Sequence, residues 1–205
     1  MLEPDIPLKG LSLTQPWASL MELEAKRNET RNWDTRYRGW LAIHASITFP
    51  QSAKMLASRA PARELLREGG YQNVACLPTG CFICLVELIG TTNTNKIELA
   101  TIPELELAFG DYSPDRFVWS TANVRRLKEQ IPYSASQRLF DIPQDLSRRL
   151  FQLAGVGGPR RFDRIVQICP GCTKVIEVQS DQLARFIQRY NCSDCRDREA
   201  VASGF

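Results

Sequence analysis

The sequence predicts an α+β fold: a small mixed β-barrel with flanking helices, followed by a small zinc-ribbon-like C-terminal module. Three observations carry that expectation. Strand-like and helix-like runs follow one another at irregular spacing, without the regular alternation of a parallel α/β sheet. The 205 residues are 43% hydrophobic and 24% charged, ordinary values for a globular chain long enough to bury a conventional core. Four of the seven cysteines gather in two Cys-x-x-Cys pairs near the C-terminus.

Taken in order, Thr14-Gln-Pro-Trp-Ala-Ser-Leu-Met21 reads as a helix start, with Pro16 at the first helical position and Trp17, Leu20 and Met21 on one face. A polar stretch, Glu22 to Thr30, leads into a turn-rich segment at 33–39. Trp40-Leu-Ala-Ile-His-Ala45 has the composition of a strand. Residues 51–68 read as helix, interrupted or restarted at Pro61 and stopped by Gly69-Gly70. Cys81 to Ile89 is the most strand-like run, and Arg116-Phe-Val-Trp-Ser120 is a second. Pro143 opens another helix, with Leu146, Leu150 and Leu153 at helical spacing and Gly155 closing it. Gly155-Val-Gly-Gly-Pro159 is the best linker. The expected division is therefore a main domain at 1–154, a linker at 155–162 and a cysteine module at 163–205.

No apolar run approaches the roughly 18 residues that span a bilayer. The start, Met1-Leu-Glu-Pro-Asp-Ile-Pro7, has acids and prolines where a secretion signal needs basic and then apolar residues. A soluble, cytoplasmic protein with no membrane partner is expected. Its net charge is +3, and four thiolates around one Zn²⁺ would lower that to about +1. Any polyanion site must come from local placement of Arg and Lys.

Cys169-Pro-Gly-Cys172 and Cys192-Ser-Asp-Cys195 are separated by nineteen residues. Each pair presents two sulfurs on a tight turn, and two such knuckles complete a tetrahedron. A structural Zn²⁺ on Cys169, Cys172, Cys192 and Cys195 is expected, since four sulfur ligands leave no place for water; iron fits the same sulfurs. Between the knuckles, Ser180 can cap a helix with Leu183, Phe186, Ile187 and Tyr190 on one face and Arg185 and Arg189 one turn apart. That module is a place for a nucleic acid or a protein partner, or simply a folded staple. Cys76, Cys81 and Cys84 imitate the opening of an iron–sulfur signature, but Cys81 and Cys84 lie three apart in a strand, where they should face opposite sides.

Residues 15–46 are dense in polar and aromatic side chains: Gln15, Trp17, Lys26, Glu29, Arg31, Trp33, Arg36, Tyr37, Arg38 and His44. Cation plus aromatic is the combination that clamps a phosphate backbone and stacks a base. An ordinary solvated surface has the same composition, and His44 suits a satisfied core position on its strand.

The strings Leu11-Ser-Leu-Thr-Gln-Pro-Trp-Ala-Ser-Leu-Met21, Lys26-x-x-Glu29-x-Arg31-x-Trp33 and Tyr37-Arg-Gly-x-Leu-x-Ile-His-Ala-Ser46 resemble the ASCH domain family. Pro78-Thr-Gly-Cys-x-x-Cys-Leu-Val-Glu-Leu-Ile89 and Phe117-Val-Trp119 with Asn123-Val124 continue the likeness in order, so that it spans roughly residues 8–145. The resemblance implies a PUA-like fold with a cleft, lined by the signature Gly-x-Lys-x-x-Glu-x-Arg and facing RNA, DNA or a nucleoside. Lys26, Glu29 and Arg31 match that signature, while Glu24 stands where the glycine belongs. On this reading Lys26, Arg31, Arg36 and Arg38 neutralise phosphates and Trp33, Tyr37 or Trp119 stacks a base, RNA or DNA being the partner.

The same resemblance implies a second class of function, a hydrolase. Small bacterial relatives cleave the acetyl amide of N4-acetylcytidine with a lysine, a threonine three residues on and a distant glutamate. Here Lys26 is kept, Glu29 holds the threonine's place, Thr30 is one residue further, and Glu98, Glu104 and Glu106 are open choices for the glutamate. Ribonuclease chemistry with Lys26 and Glu29 or His44 as acid and base is a further form of it. A protein-interaction adaptor is the third class.

Overall fold

The run Cys81–Asn93 is rich in apolar and β-branched residues up to Ile89, and it forms a strand buried from Cys81 to Leu88, β4 in chain order. The computed structural model describes residues 8–156 and the backbone of two short strands, Ile165–Ile168 and Val175–Val178. By their internal contacts the residues fall into two units, Met1–Gly158 and Pro159–Phe205.

The first unit is α+β. Its elements are β1 (Lys9–Leu13), α1 (Trp17–Glu22), β2 (Asn28–Arg31), β3 (Gly39–Ala45), α2 (Gln51–Ala57), α3 (Ala62–Glu68), β4, α4 (Glu104–Phe109), β5 (Phe117–Pro132), β6 (Leu139–Asp141) and α5 (Gln144–Leu153). The strands make one mixed sheet in the order β2-β5-β4-β3-β1-β6. β1 and β3 are parallel and the remaining neighbours are antiparallel.

This sheet is curled into a half-barrel. In the strand order β2 and β1 stand four places apart, about 19 Å in a flat sheet. Yet an Nη of Arg31, on β2, donates to the Ser12 carbonyl of β1 at 3.2 Å. A single side chain spans that gap because β4 and β5 bend at three register shifts along their shared ladder.

Two apolar layers fill the curl. Leu11, Leu13, Leu41, Ile43, Val86, Leu88 and Trp119 form one with Ala18 and Met21 of α1. Trp40, Ala42, Phe82, Leu85 and Phe140 form the other with Leu150 and Phe151 of α5. The Leu146–Leu150–Leu153 stripe thus packs as expected, with Leu150 fully buried. Leu20 of α1 faces a third cluster with Ala57, Ala62 and Leu66 from α2 and α3. Pro61 separates those two short helices, Gly69 ends α3, and Gly155 takes the left-handed backbone that ends α5.

Three local expectations change. Pro16 sits one residue before α1, as its cap, rather than inside it. β4 and β5 run past Ile89 and Ser120 to Asn93 and Pro132. Cys81 and Cys84 pack in the same layer, because a bulge at Ile83 breaks the two-residue alternation between them. Both thiols are buried, and burial pushes their pKa values up, while Cys76 is exposed.

Glu24 holds φ = 58°, the left-handed conformation that glycine adopts most easily and that costs another residue about 1 kcal/mol. The chain therefore turns off the end of α1 as a glycine would turn it. The Lys26 amide then bonds back to the Leu20 carbonyl at 3.1 Å, bringing residue 26 under the helix.

Glu87 lies on β4, 3% exposed, and accepts from Asn123 Nδ2 at 2.7 Å. Burial raises its carboxyl to about 7, against the weaker opposing effects of Asn123 and Arg125. Because the folded value exceeds the unfolded one, this group's contribution to stability is lost as pH rises from about 4.5 to about 7. Urea unfolding of Glu87→Gln across pH 5–8 should show a flatter pH dependence than wild type. At pH 8 the variant should gain on the order of 2 kcal/mol relative to wild type, compared with pH 5.

Candidate nucleic-acid interface

The polar stretch after α1 turns inward rather than lying on the surface. Lys26 is 1% exposed and donates its ammonium to the Asn28 carbonyl. Its Nζ also lies 3.4 Å from Glu29 Oε2, and the other oxygen of Glu29 lies 3.0 Å from Arg31 Nε. One carboxylate is thus bridged by two cations, and the excess positive charge belongs to Arg31, whose side chain is 24% exposed. A lysine so buried cannot touch a phosphate unless β2 opens; it holds Glu29, and through it Arg31.

β2 is placed from its other side by α4 and the loop after it. The Glu106 carboxylate, buried, accepts from the backbone amides of Arg27 at 2.5 Å and Asn28 at 3.2 Å. Thr30 Oγ1 accepts from the Asp111 amide at 2.9 Å, and Arg116 donates to the Thr30 carbonyl at 3.2 Å. Arg116 Nε also lies 3.2 Å from Asp111, whose carboxyl is held below its ordinary value chiefly by hydrogen bonds from the Ser113 hydroxyl and amide. Between α1 and this loop opens a cavity of about 270 Å³, lined by Trp17, Glu29, Thr30, Phe109 and Asp111 among others. Its charged lining is two carboxylates, each already paired with a cation.

The basic and aromatic character lies instead at Trp33. The Trp33 ring meets Trp119 edge-on with centroids 4.5 Å apart, and Arg138 lies over it at 5.9 Å. Trp33 and Arg31 are half-buried, while Arg36 and Arg138 are exposed. Trp119 itself is fully buried and donates its indole N–H to the Trp33 carbonyl at 3.3 Å, so it supports Trp33 from below.

The remaining sequence candidates take scaffold positions. Gln15 is buried, donating to the Pro78 carbonyl and to Ser19 Oγ at 2.8 Å each. Trp17 donates to the Phe109 carbonyl at 2.8 Å. The Tyr37 hydroxyl donates to the Trp40 carbonyl at 2.6 Å, and burial pushes its pKa up to about 12. Arg38 is tied to Thr91 Oγ1 at 2.9 Å and to two carbonyls. His44 lines a separate cavity, across β1 from the Leu11–Leu13 layer.

Arg138, Asp111 and Arg116 had no signal in the sequence as partners of this region, since they stand some 80 to 110 residues away along the chain. Glu106, one of three open choices for a distant glutamate, is committed to backbone amides, whereas Glu98 and Glu104 are exposed. Cys169, Cys172, Cys192 and Cys195, with Arg185 and Arg189, lie outside the described residues. Among the described residues no three His, Cys, Asp or Glu side chains are grouped to hold a metal, and no helix is long and apolar enough to cross a membrane.

If Glu106 anchors β2, Glu106→Ala should destabilise the fold by roughly 3 kcal/mol, because two buried amides lose a charged acceptor. Glu104→Ala, exposed on the same helix, should change stability by less than about 0.5 kcal/mol. Urea midpoints of the two variants distinguish these values.

No family model matches the chain. Over 132 residues, 64% of its length, the chain is 28% identical to "Activating signal cointegrator 1" of Homo sapiens, and the Mus musculus protein gives the same figures. The matched stretch is 22% of either relative, so the chain spans about a fifth of their length. A solved structure, "Crystal structure of ASCH from Zymomonas mobilis", superposes with a TM-score of 0.44 at 11% identity, over 71% of this chain and 94% of that one. The sequence likeness to activating signal cointegrator 1 is a distant homology.

Proposed function

We propose that the chain is a nucleic-acid-binding protein of the ASCH kind, with RNA or DNA held on the surface around Trp33. The observation that carries this reading is Arg138 lying over a half-buried Trp33 that Trp119 supports, with Arg31 and the exposed Arg36 within three residues of it along the chain. Guanidinium groups beside a ring face suit a backbone phosphate and a stacked base together. The ASCH resemblance of Lys26-x-x-Glu29-x-Arg31 points to the same strand. In this reading Lys26 and Glu29 position Arg31, and Arg31 meets the ligand.

The C-terminal unit holds a structural Zn²⁺ on Cys169, Cys172, Cys192 and Cys195 and extends the surface with Arg185 and Arg189. Supporting this, strands β7 (Ile165–Ile168) and β8 (Val175–Val178) pair antiparallel with Ile168 opposite Val175. The sequence between the two strands, 169–174, contains Cys169 and Cys172. Bound there, the metal would supply folding energy rather than chemistry. A cytoplasmic location, where thiols stay reduced, accords with this use of cysteine.

The hydrolase alternative is the weaker one. The Lys26 ammonium is spent on the Asn28 carbonyl and Glu29, where an acyl-transfer base would need it neutral and free.

Labelled RNA and DNA oligonucleotides titrated over a salt series test the interface. Affinity should fall with salt, and Arg138→Ala should weaken binding several-fold and reduce the salt slope by about 0.7–0.9 per lost phosphate contact. Trp33→Ala should cost about 1–3 kcal/mol at any salt. Binding indifferent to both would move the contact to Arg185 and Arg189, and no binding at low salt would overturn the reading. Purified protein should carry one Zn²⁺ by elemental analysis, lost in Cys169→Ser.

A further inference from the structure

The strand pair β1–β3 sets Ser12 directly beside His44 in parallel register, both facing away from the Leu11–Leu13 layer. Ser12 Oγ lies 3.0 Å from His44 Nδ1, and His44 Nε2 lies 2.9 Å from the Tyr133 carbonyl oxygen. A carbonyl only accepts, so Nε2 carries the proton and donates it. In the neutral ring Nδ1 then offers a lone pair, and the Ser12 hydroxyl must be the donor. That is the arrangement of an activated nucleophile: hydroxyl, base, and a third group that fixes the base's tautomer.

The surroundings are those of a built site. The pair lines a cavity of about 540 Å³ together with Ser46, Ile47, Pro132, Ser134 and Ala135. His44 is buried with its ring edge-on to Phe82, while Ser12 in front of it is partly exposed. Ile47, 81% exposed, gives the lip an apolar surface. Ser46, whose Oγ accepts from the Thr48 amide, also lines the cavity. The bulge at Ile83 of β4 lies opposite the step from Ile43 to His44.

We propose that Ser12 and His44 form a nucleophile–base pair that hydrolyses carboxylic esters with short apolar acyl groups. Ser12 Oγ bonds to the ester carbonyl carbon while its proton passes to His44 Nδ1, and the Tyr133 carbonyl steadies the imidazolium through Nε2–H. The carbon–oxygen bond to the alcohol breaks, and the alcohol leaves with the proton from Nδ1. Water then attacks the acyl-serine, returns a proton through Nδ1 and releases the carboxylic acid, restoring Ser12. Ile47, Pro132 and Ala135 receive the acyl chain, and the Ser46 hydroxyl faces the developing oxyanion. Burial lowers the pKa of His44, against the hydrogen bonds to the Tyr133 and Gly80 backbone, which keeps the ring neutral as the base requires.

The test treats the full chain with an alkyl fluorophosphonate and maps the adduct by peptide mass spectrometry, with p-nitrophenyl butyrate turnover alongside. The expected result is one adduct per chain, on Ser12, formed in native protein and absent after unfolding in urea. His44→Gln should slow labelling and turnover at least 100-fold, and both rates should rise with pH through an apparent pKa below the ordinary histidine value. Arg59→Ala, exposed beyond the end of α2 and outside the cavity, should label at the wild-type rate. Native protein that carries no adduct on Ser12, or labels there no faster than in urea, overturns the proposal, and this readout needs no variant to fold.

Discussion

A single buried ammonium ties the main unit together. Lys26 follows the left-handed turn at Glu24 and enters the interior with its charge, where desolvation costs several kcal/mol unless partners replace water. The Asn28 carbonyl and the Glu29 carboxylate are those partners, and both belong to β2. The strand cannot shift by one residue without stripping Lys26 of its acceptors and turning Glu29 to the other face. From this register follow the alignment of β2 on β5, with Glu29 opposite Trp119, and the reach of Arg31 across the curl to β1.

The arrangement also explains how signature residues in one short segment end in different environments. Alternation along β2 sends the Thr30 hydroxyl toward Asp111 and Glu29 toward two cations. The segment that follows carries Trp33 back over Trp119, where the fold brings in Arg138. Lys26 and Trp119 thus set positions, Lys26 holding Arg31 through Glu29 and Trp119 supporting Trp33 beneath Arg138. Ser12 of β1 and His44 of β3 face away from the Leu11–Leu13 layer, and the pocket they line includes none of Arg31, Trp33, Arg36 or Arg138.

Much of the architecture was legible because local signals agreed. Pro61, Gly69-Gly70, Pro143 and Gly155 bound the helices where breakers should, and the apolar run from Cys81 became the central strand. The weakly apolar strands were not legible. β2 is Asn-Glu-Thr-Arg, whose burial depends on acceptors and cations supplied by its own fold, and the later half of β5 is exposed and charged. Alternation also misplaced Cys84, since a one-residue bulge at Ile83 is a property of the sheet and not of the strand. The site shows the same division: the aromatic and cationic composition of residues 15–46 was visible, but not which charges would be buried. Arg138 and Tyr133 were beyond reach, because their partners are set by where β5 and β6 pair with β4 and β1.

The most direct test of this account is a double-mutant cycle on stability with Lys26→Met and Glu29→Gln. If Lys26 is held by Glu29 and in turn fixes β2, each single variant is destabilised and the pair shows a coupling of about 1–3 kcal/mol. Additive effects, or a Lys26→Met variant as stable as wild type that binds oligonucleotides as tightly, would contradict it.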